Sequence, residues 1–221
     1  YNGALFGVLQ FFSNLPGVFN ADALIKLEAA AERVAPMIQS SLSYERSLSS
    51  ALTDPVTELP NERAFRLILE NQIAESQRNR GDRPLTMIAI DVRNFDEINS
   101  RFGHSTGDRL LGLIAQVIKC QLRQMDFVAR SNNDEFLAIF PTADETVTSE
   151  IVDRINVALV DSRFFATDSE SIVPELYFGT AAFGKHGESA DQMIQSARLN
   201  KQQAKAKAPV NVFWFPEQTA G

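Results

Sequence analysis

Residues Val128 to Phe140, VARSNNDEFLAIF, place a polar tip, Asn132-Asn133-Asp134-Glu135, between two apolar runs, Phe127 to Ala129 and Phe136 to Phe140. This pattern predicts a β-hairpin with Asn132-Asn133 at a two-residue turn. Such a turn needs positive φ at both central positions, and asparagine tolerates that better than other non-glycine residues. Two carboxylates follow the turn, and strand alternation sends them in opposite directions. Upstream, Leu85-Thr86-Met87-Ile88-Ala89-Ile90-Asp91 reads as a buried strand ending on an acid. A strand-end aspartate beside a hairpin-tip aspartate can hold a hard cation through oxygen ligands.

The chain has 221 residues, 44% apolar and 22% charged, with a formal net charge of −7. That length suits one or two globular domains. The acidic balance argues against a nucleic-acid polymer as partner but leaves room for a small phosphorylated ligand at a local basic cluster. No apolar run approaches the ~20 residues of a membrane span, and no basic n-region marks a signal peptide, so the expected location is the cytoplasm. The single Cys120 cannot form an internal disulfide and reads as a helix-packing thiol.

In chain order, Gly3 to Phe12 is strand-like and Asn14 to Gly17 turn-rich. Asn20 or Asp22 can cap a long helix to about Leu52. Leu24, Leu27, Ala31, Val34 and Ile38 step by three or four along it, as either a dimer seam or a face packed on its own domain requires. Pro36 should kink this helix or weaken its packing. Asp54-Pro55 ends it, and Asn61 can cap a helix from Glu62 to Asn79. After the strand to Val92, a helix is expected from Asn94 to Arg101 and a second, capped by Ser105 or Thr106, to about Gln121. Beyond the hairpin, Ala143 to Ser162 and Ser189 to Ala208 read as helices. Ser171 to Phe183 and Val210 to Phe215 read as strands, with Trp214 in the core. The expectation is an α+β sandwich with a mixed central sheet covered by helices and a β-α-α-β-β-α-β palm.

Four segments together resemble the GGDEF domain of diguanylate cyclases. SNNDEF resembles the GGDEF signature. Thr53 to Asn61 resembles the family's D-x-L-T-x-L-x-N, Asp91 to Asn99 its D-x-D-x-F-K-x-x-N, and Phe102 to Asp108 its F-G-H-x-x-G-D. The segment before them resembles the last strand and helix of a GAF sensor. The resemblance implies residues 1–45 as the end of such a sensor, 46–53 as a signalling-helix linker, 54–216 as the GGDEF-like domain and 217–221 as a tail. It implies a fragment of a longer sensory protein that dimerises through its N-terminal helix.

It also implies GTP as substrate, cyclic di-GMP as product or ligand, and Mg²⁺ as cofactor. Metal positions would be Asp91, Val92 and Asp134, substrate binding would fall to Asn132 and Asn133 with Asn99 and Asp108 on the guanine, and Asp134, Glu135 and Lys205 would serve catalysis. An R-x-x-D inhibitory site for cyclic di-GMP would comprise Arg123 and Asp126, with Arg154. His104 would pack in the F-G-H loop, and His186 sits in the Gly184–Gly187 turn.

The departures lie where charge matters. Asn132 and Asn133 replace the signature glycines, which in the family leave bare backbone near the nucleotide. Asp96 replaces a lysine, and Arg93 an aspartate. The terminal-helix pattern A-D-x-A-L-Y-x-A-K-x-x-G-R-N reads Ala197-Arg198-Leu199-Asn200-Lys201-Gln202-Gln203-Ala204-Lys205-Ala206-Lys207-Ala208-Pro209-Val210, so proline stands at the arginine position. Each lost charge-assisted contact costs about 1.5–3 kcal/mol, and ~1.4 kcal/mol is tenfold in rate, so cyclase activity is expected to fall at least a thousandfold. Lys201, Lys207 and Arg93 are the cations placed to substitute. The sequence thus points to a catalytically impaired regulatory or nucleotide-binding module, with an active cyclase or a purely protein-binding domain as alternatives.

Overall fold

The computed structural model describes residues 8, 10–78, 83–207 and 214–216, with 43–50 and 214–216 described by backbone alone. The chain divides into two compact units, Tyr1–Ala51 and Leu52–Gly221.

The first unit is dominated by α1, Ala21–Leu52. Asn20 caps it, its Oδ1 accepting from the Ala23 N–H at 2.9 Å. The helix runs on through Pro36, which removes a hydrogen bond without ending it. Leu24, Val34 and Ile38 of the anticipated seam are exposed, as are Ile25 and Met37. The strand expected over Gly3 to Phe12 falls mostly outside the described residues; 10–12 form no regular element.

The second unit runs α2 (Glu62–Arg78), β1 (Leu85–Val92), α3 (Phe95–Phe102), α4 (His104–Gln121), β2 (Phe127–Arg130), β3 (Glu135–Pro141), α5 (Glu145–Asp161), β4 (Phe164–Phe165), β5 (Glu170–Ile172), β6 (Leu176–Ala182), α6 (Ala190–Lys207) and β7 (Trp214–Pro216). The expected palm order holds through β1-α3-α4-β2-β3-α5-β6. The central sheet has strand order β2-β3-β1-β6, and every neighbouring pair is antiparallel. It is therefore not the mixed sheet expected from alternating strands and helices. The reason is topological. The α3–α4 crossover joins β1 to β2, which do run parallel, but β3 lies between them; β1 likewise separates β3 from β6.

Strand alternation divides the core in two. Ile88, Ile90, Val92, Phe136, Ala138 and Phe140 pack against α3, α4 and α5. Met87, Ala89, Leu137 and Ile139 face the opposite way, against Phe65, Leu69 and Ile73 of α2 and Met193, Ile194 and Ala197 of α6. β1 is buried at all eight positions because helices cover both faces.

Other expectations require correction. Ser171 to Phe183 is two strands in two sheets, because Pro174 cannot donate to a ladder and the chain leaves the small β4-β5-β7 sheet there. Neither Ser105 nor Thr106 caps α4; the helix starts at His104 after Gly103, whose φ of 83° only glycine adopts readily. His104 is exposed on that first turn rather than packed. Cys120 is exposed too, since the buried stripe of α4 runs through Leu111, Ile114, Ala115 and Ile118, and two residues further on the helix points outward. Trp214 is paired with Ile172 through backbone, its side chain lying outside the described set, as does Pro209.

Gly179 of β6 sets how closely α6 approaches. A Cβ there would lie 2.1 Å from both the Ala197 carbonyl oxygen and the Lys201 nitrogen, which are backbone atoms and cannot swing aside. Gly179→Ala is therefore expected to destabilise the domain by about 1–3 kcal/mol, read as a lower urea midpoint at unchanged m-value.

Candidate functional site

The parity that sorts the core also sorts the acids. Asp91 and Glu135 share the α2/α6 side of the sheet with Ala89 and Leu137, and they stand directly opposite each other in the β1–β3 register. Like charges facing across a ladder repel, and both side chains are about nine-tenths buried. Cations from α6 answer them. Lys201 Nζ lies 2.6 Å from Glu135 Oε1 and 3.3 Å from Asp91 Oδ1. Lys205 Nζ lies 3.0 Å from Asp91 Oδ2, and that hydrogen bond raises the lysine's pKa. Arg198 grips Glu135 through Nε at 2.9 Å and Nη2 at 2.5 Å, both to Oε2, and reaches Glu62 Oε2 of α2 at 2.9 Å. Spacings of three and four residues place these three cations on one helix face.

The turn above this network differs from the one expected. The Ser131 N–H donates to the Glu135 carbonyl at 2.8 Å, and the Glu135 N–H to the Asn132 carbonyl at 3.0 Å. Only Asn133 has a positive φ, 53°, so one left-handed residue closes a longer loop than a two-residue hairpin. Arg130 holds it. Its Nη2 donates to the Asn133 carbonyl at 2.6 Å, and its Nη1 to Asp54 Oδ1 at 3.0 Å. Burial would raise the Asp54 pKa, but hydrogen bonds from the Thr57 hydroxyl and N–H, followed by Arg130, bring it below the usual value. The segment Thr53 to Asn61 is thereby fastened to the signature turn, helped by the Arg130 N–H on the Pro60 carbonyl at 2.9 Å.

Asn132 and Asn133 are exposed at the tip and Asp134 is half-buried. Burial, then the negative charge of Asp91, pushes the Asp134 carboxyl above its ordinary pKa. Val92 can offer a cation only its backbone carbonyl. Among the described residues, no group of three or more Asp, Glu, His or Cys side chains forms a cation cage. Asn99 packs where α3 meets α4: a Cβ on Gly107 would lie 2.0 Å from Asn99 Oδ1, and Asp108 follows that glycine along α4. That oxygen is buried without a hydrogen-bond partner, whereas Asp108 is exposed. Asp96, at the position of a family lysine, is exposed on α3, and Arg93 pairs with Glu175 and lies 5.8 Å from the Tyr177 ring centre.

A second cluster forms at the end of α4. Asp126 Oδ2 accepts from the Arg123 N–H at 2.8 Å, and the Arg154 guanidinium of α5 reaches the Gln121 carbonyl. Arg123 and Arg154 are exposed and adjacent to the same turn.

Sequence reasoning missed Arg198, Glu62 and the Asp54–Arg130 clasp, and it assigned Lys201 only a stand-in part. A signal was present: Arg198 and Lys201 stand where the family pattern carries aspartate and leucine, on the same helix face as Lys205.

An antiparallel palm with acids at two central strand ends, under a tight turn, is the architecture of a nucleotide-cyclase domain. The chain belongs to the diguanylate cyclase GGDEF domain family, whose family model matches residues 51–209. Diguanylate cyclase DgcP of Pseudomonas aeruginosa is 35% identical over 143 residues, 63% of this chain and 21% of that protein. Diguanylate cyclase DosC of Escherichia coli is 34% identical over 144 residues, 65% of this chain and 31% of that protein. The chain thus spans between a fifth and a third of these relatives. Among solved structures, the GGDEF domain of TpbB (YfiN) from Pseudomonas aeruginosa superposes with a TM-score of 0.66 at 30% identity, over 71% of this chain and 90% of that one. The GGDEF domain of DgcB from Caulobacter crescentus, solved with c-di-GMP, gives 0.64 at 27%, over 71% and 91%.

The raised Asp134 pKa has a definite sign. A carboxyl that binds its proton more tightly when folded favours folding at acid pH and opposes it once pH exceeds the raised value. Asp134→Asn should therefore melt higher than the parent near pH 7, on the order of 2 °C, with the gap closing as pH falls to about 3; matched melts without divalent ions check this.

Proposed function

We propose that this is a GGDEF domain of cyclic di-GMP signalling that binds guanine nucleotide but has little cyclase activity. The observation that carries the reading is the saturation of Asp91 and Glu135 by Lys201, Lys205 and Arg198, beneath a turn that presents two carboxamides. Nucleotidyl transfer between two GTP molecules needs carboxylates free to hold the metal on the phosphates and backbone open to the triphosphate. Here every oxygen of Glu135 and Asp91 already accepts from one of these cations, and only Lys205, on Asp91, is exposed enough to yield its place.

Nucleotide binding itself is supported at two places. The unpartnered Asn99 Oδ1 is an acceptor suited to an N–H on the guanine edge, and Asp108 is an exposed carboxylate on the first turns of α4. The mutual repulsion of Asp91 and Asp134 suits a divalent cation, with Asp91, Asp134 and the Val92 carbonyl as its ligands. Mg²⁺ bound there would screen the phosphates. Lys205, half-exposed, can leave Asp91 to meet a phosphate oxygen, and Glu135 stays fixed by Arg198. The domain is read as cytoplasmic, as its nucleotide requires. The exposed apolar stripe of α1 supports a homodimer through that helix, and the residues before it are read as the end of a GAF-like sensor.

The decisive assay is product formation from GTP and Mg²⁺. The parent is expected to turn over at least about a thousandfold more slowly than an intact cyclase, and Asn132→Gly/Asn133→Gly to raise the rate. A parent rate typical of an intact enzyme overturns the reading.

The convergence of Arg123, Asp126 and Arg154 supports a second reading, in which the domain is a cyclic di-GMP receptor at that turn. Calorimetry should give binding heat with the parent and at least about tenfold weaker binding with Arg123→Ala; equal heats, or none with the parent, remove it.

A further inference from the structure

The position between Asp91 and Glu135 asks for positive charge whatever the nucleotide does. The two carboxylates are register partners on adjacent strands, on one face, each about nine-tenths buried. Left alone they would repel in a poorly solvated site. The group between them is the Lys201 ammonium, itself 8% exposed. Its stem leaves α6 where Gly179 lets the helix backbone touch the sheet, so its reach is fixed by packing.

All four acid oxygens accept from a cation. Glu135 Oε1 takes Lys201 and Arg198, and Oε2 takes Arg198; Asp91 Oδ1 takes Lys201 and Oδ2 takes Lys205. These donors differ in how easily they move. The Lys205 side chain is 54% exposed and can be pushed aside, whereas Lys201 is enclosed. A divalent ion can therefore reach Asp91 Oδ2 where Lys205 yields, but not the space between Asp91 and Glu135.

We propose that Lys201 is a tethered cation that takes the place of a divalent metal ion between Asp91 and Glu135, so that removing its charge turns this position into a metal site. An ammonium at 2.6 and 3.3 Å supplies one positive charge to the pair; a divalent ion would supply two and would bridge the same oxygens. The cleft thereby accepts one cation fewer than its carboxylates could hold. This goes beyond the cyclase reading and stands without nucleotide.

The test uses the whole chain with Mn²⁺ alone as probe. Lys201→Met is expected to melt below the parent in chelator. Mn²⁺ should recover that loss, bind at least about tenfold more tightly than to the parent, and show one additional site by calorimetry. Adding Glu135→Gln to Lys201→Met should abolish the extra site, while Lys201→Arg should bind Mn²⁺ like the parent. Equal Mn²⁺ responses of parent and Lys201→Met, or an extra site that survives Glu135→Gln, overturn the proposal. Should Lys201→Met be recovered folded only when divalent ion is present, the proposal is supported; insolubility in both buffers overturns it. Failure of every protein to bind GTP would count against the nucleotide reading and leave this one intact.

Discussion

Two carboxylates placed opposite each other at the buried ends of adjacent strands cannot stand without countercharge, and much of this domain is arranged to supply it. Asp91 ends β1, the strand covered on both faces, and Glu135 opens β3 beside it. Helix α6 lies over them closely enough that β6 must be side-chain-free at Gly179. From that approach Arg198, Lys201 and Lys205 reach the acids, and Arg198 extends the network to Glu62 on α2. A buried charge that loses its partner is costly, so each member constrains the others. The helix position, the strand register and the ion pairs form one coupled system.

That coupling bears on chemistry. A phosphoryl-transfer site works when its carboxylates are available to a metal and its cations to the phosphates. Here the two sets satisfy each other. The turn above is held from behind by Arg130, which bridges the Asn133 carbonyl and Asp54, so its backbone geometry is anchored while its asparagine side chains face outward. Burial makes the consequence persistent: exposed ion pairs would exchange readily with an incoming nucleotide, whereas Lys201 and Glu135 are enclosed. The accessible groups are Lys205, Asp134 and Asp108, whereas Asn99 Oδ1 is buried.

Much of this was legible in linear order. Helical and alternating periodicities placed α2, α4, α5, α6, β1 and the hairpin close to where they lie, because each buries a regular face and the pattern is local. The caps at Asn20 and Asn61 were readable for the same reason. What failed were statements about partners. Antiparallel pairing throughout depends on which strand slips between β1 and β2, and no single segment encodes that. The split of Ser171 to Phe183 into two strands had a local sign, Pro174, but the second sheet that receives β5 is assembled from distant pieces. His104 and Cys120 were read by their neighbours in sequence when the phase of α4 decides their exposure.

The sequence by itself determined the family and the palm order of elements, since four ordered motifs survive without knowledge of contacts. Only the tertiary structure decided that Lys201 and Arg198 belong to the site, that Glu135 is held rather than free, and that Arg130 fastens the turn. The physical reason is that charge pairing is a matter of distance and burial: residues 91, 135 and 201 lie far apart along the chain and meet within hydrogen-bond range only once α6 is seated on the sheet.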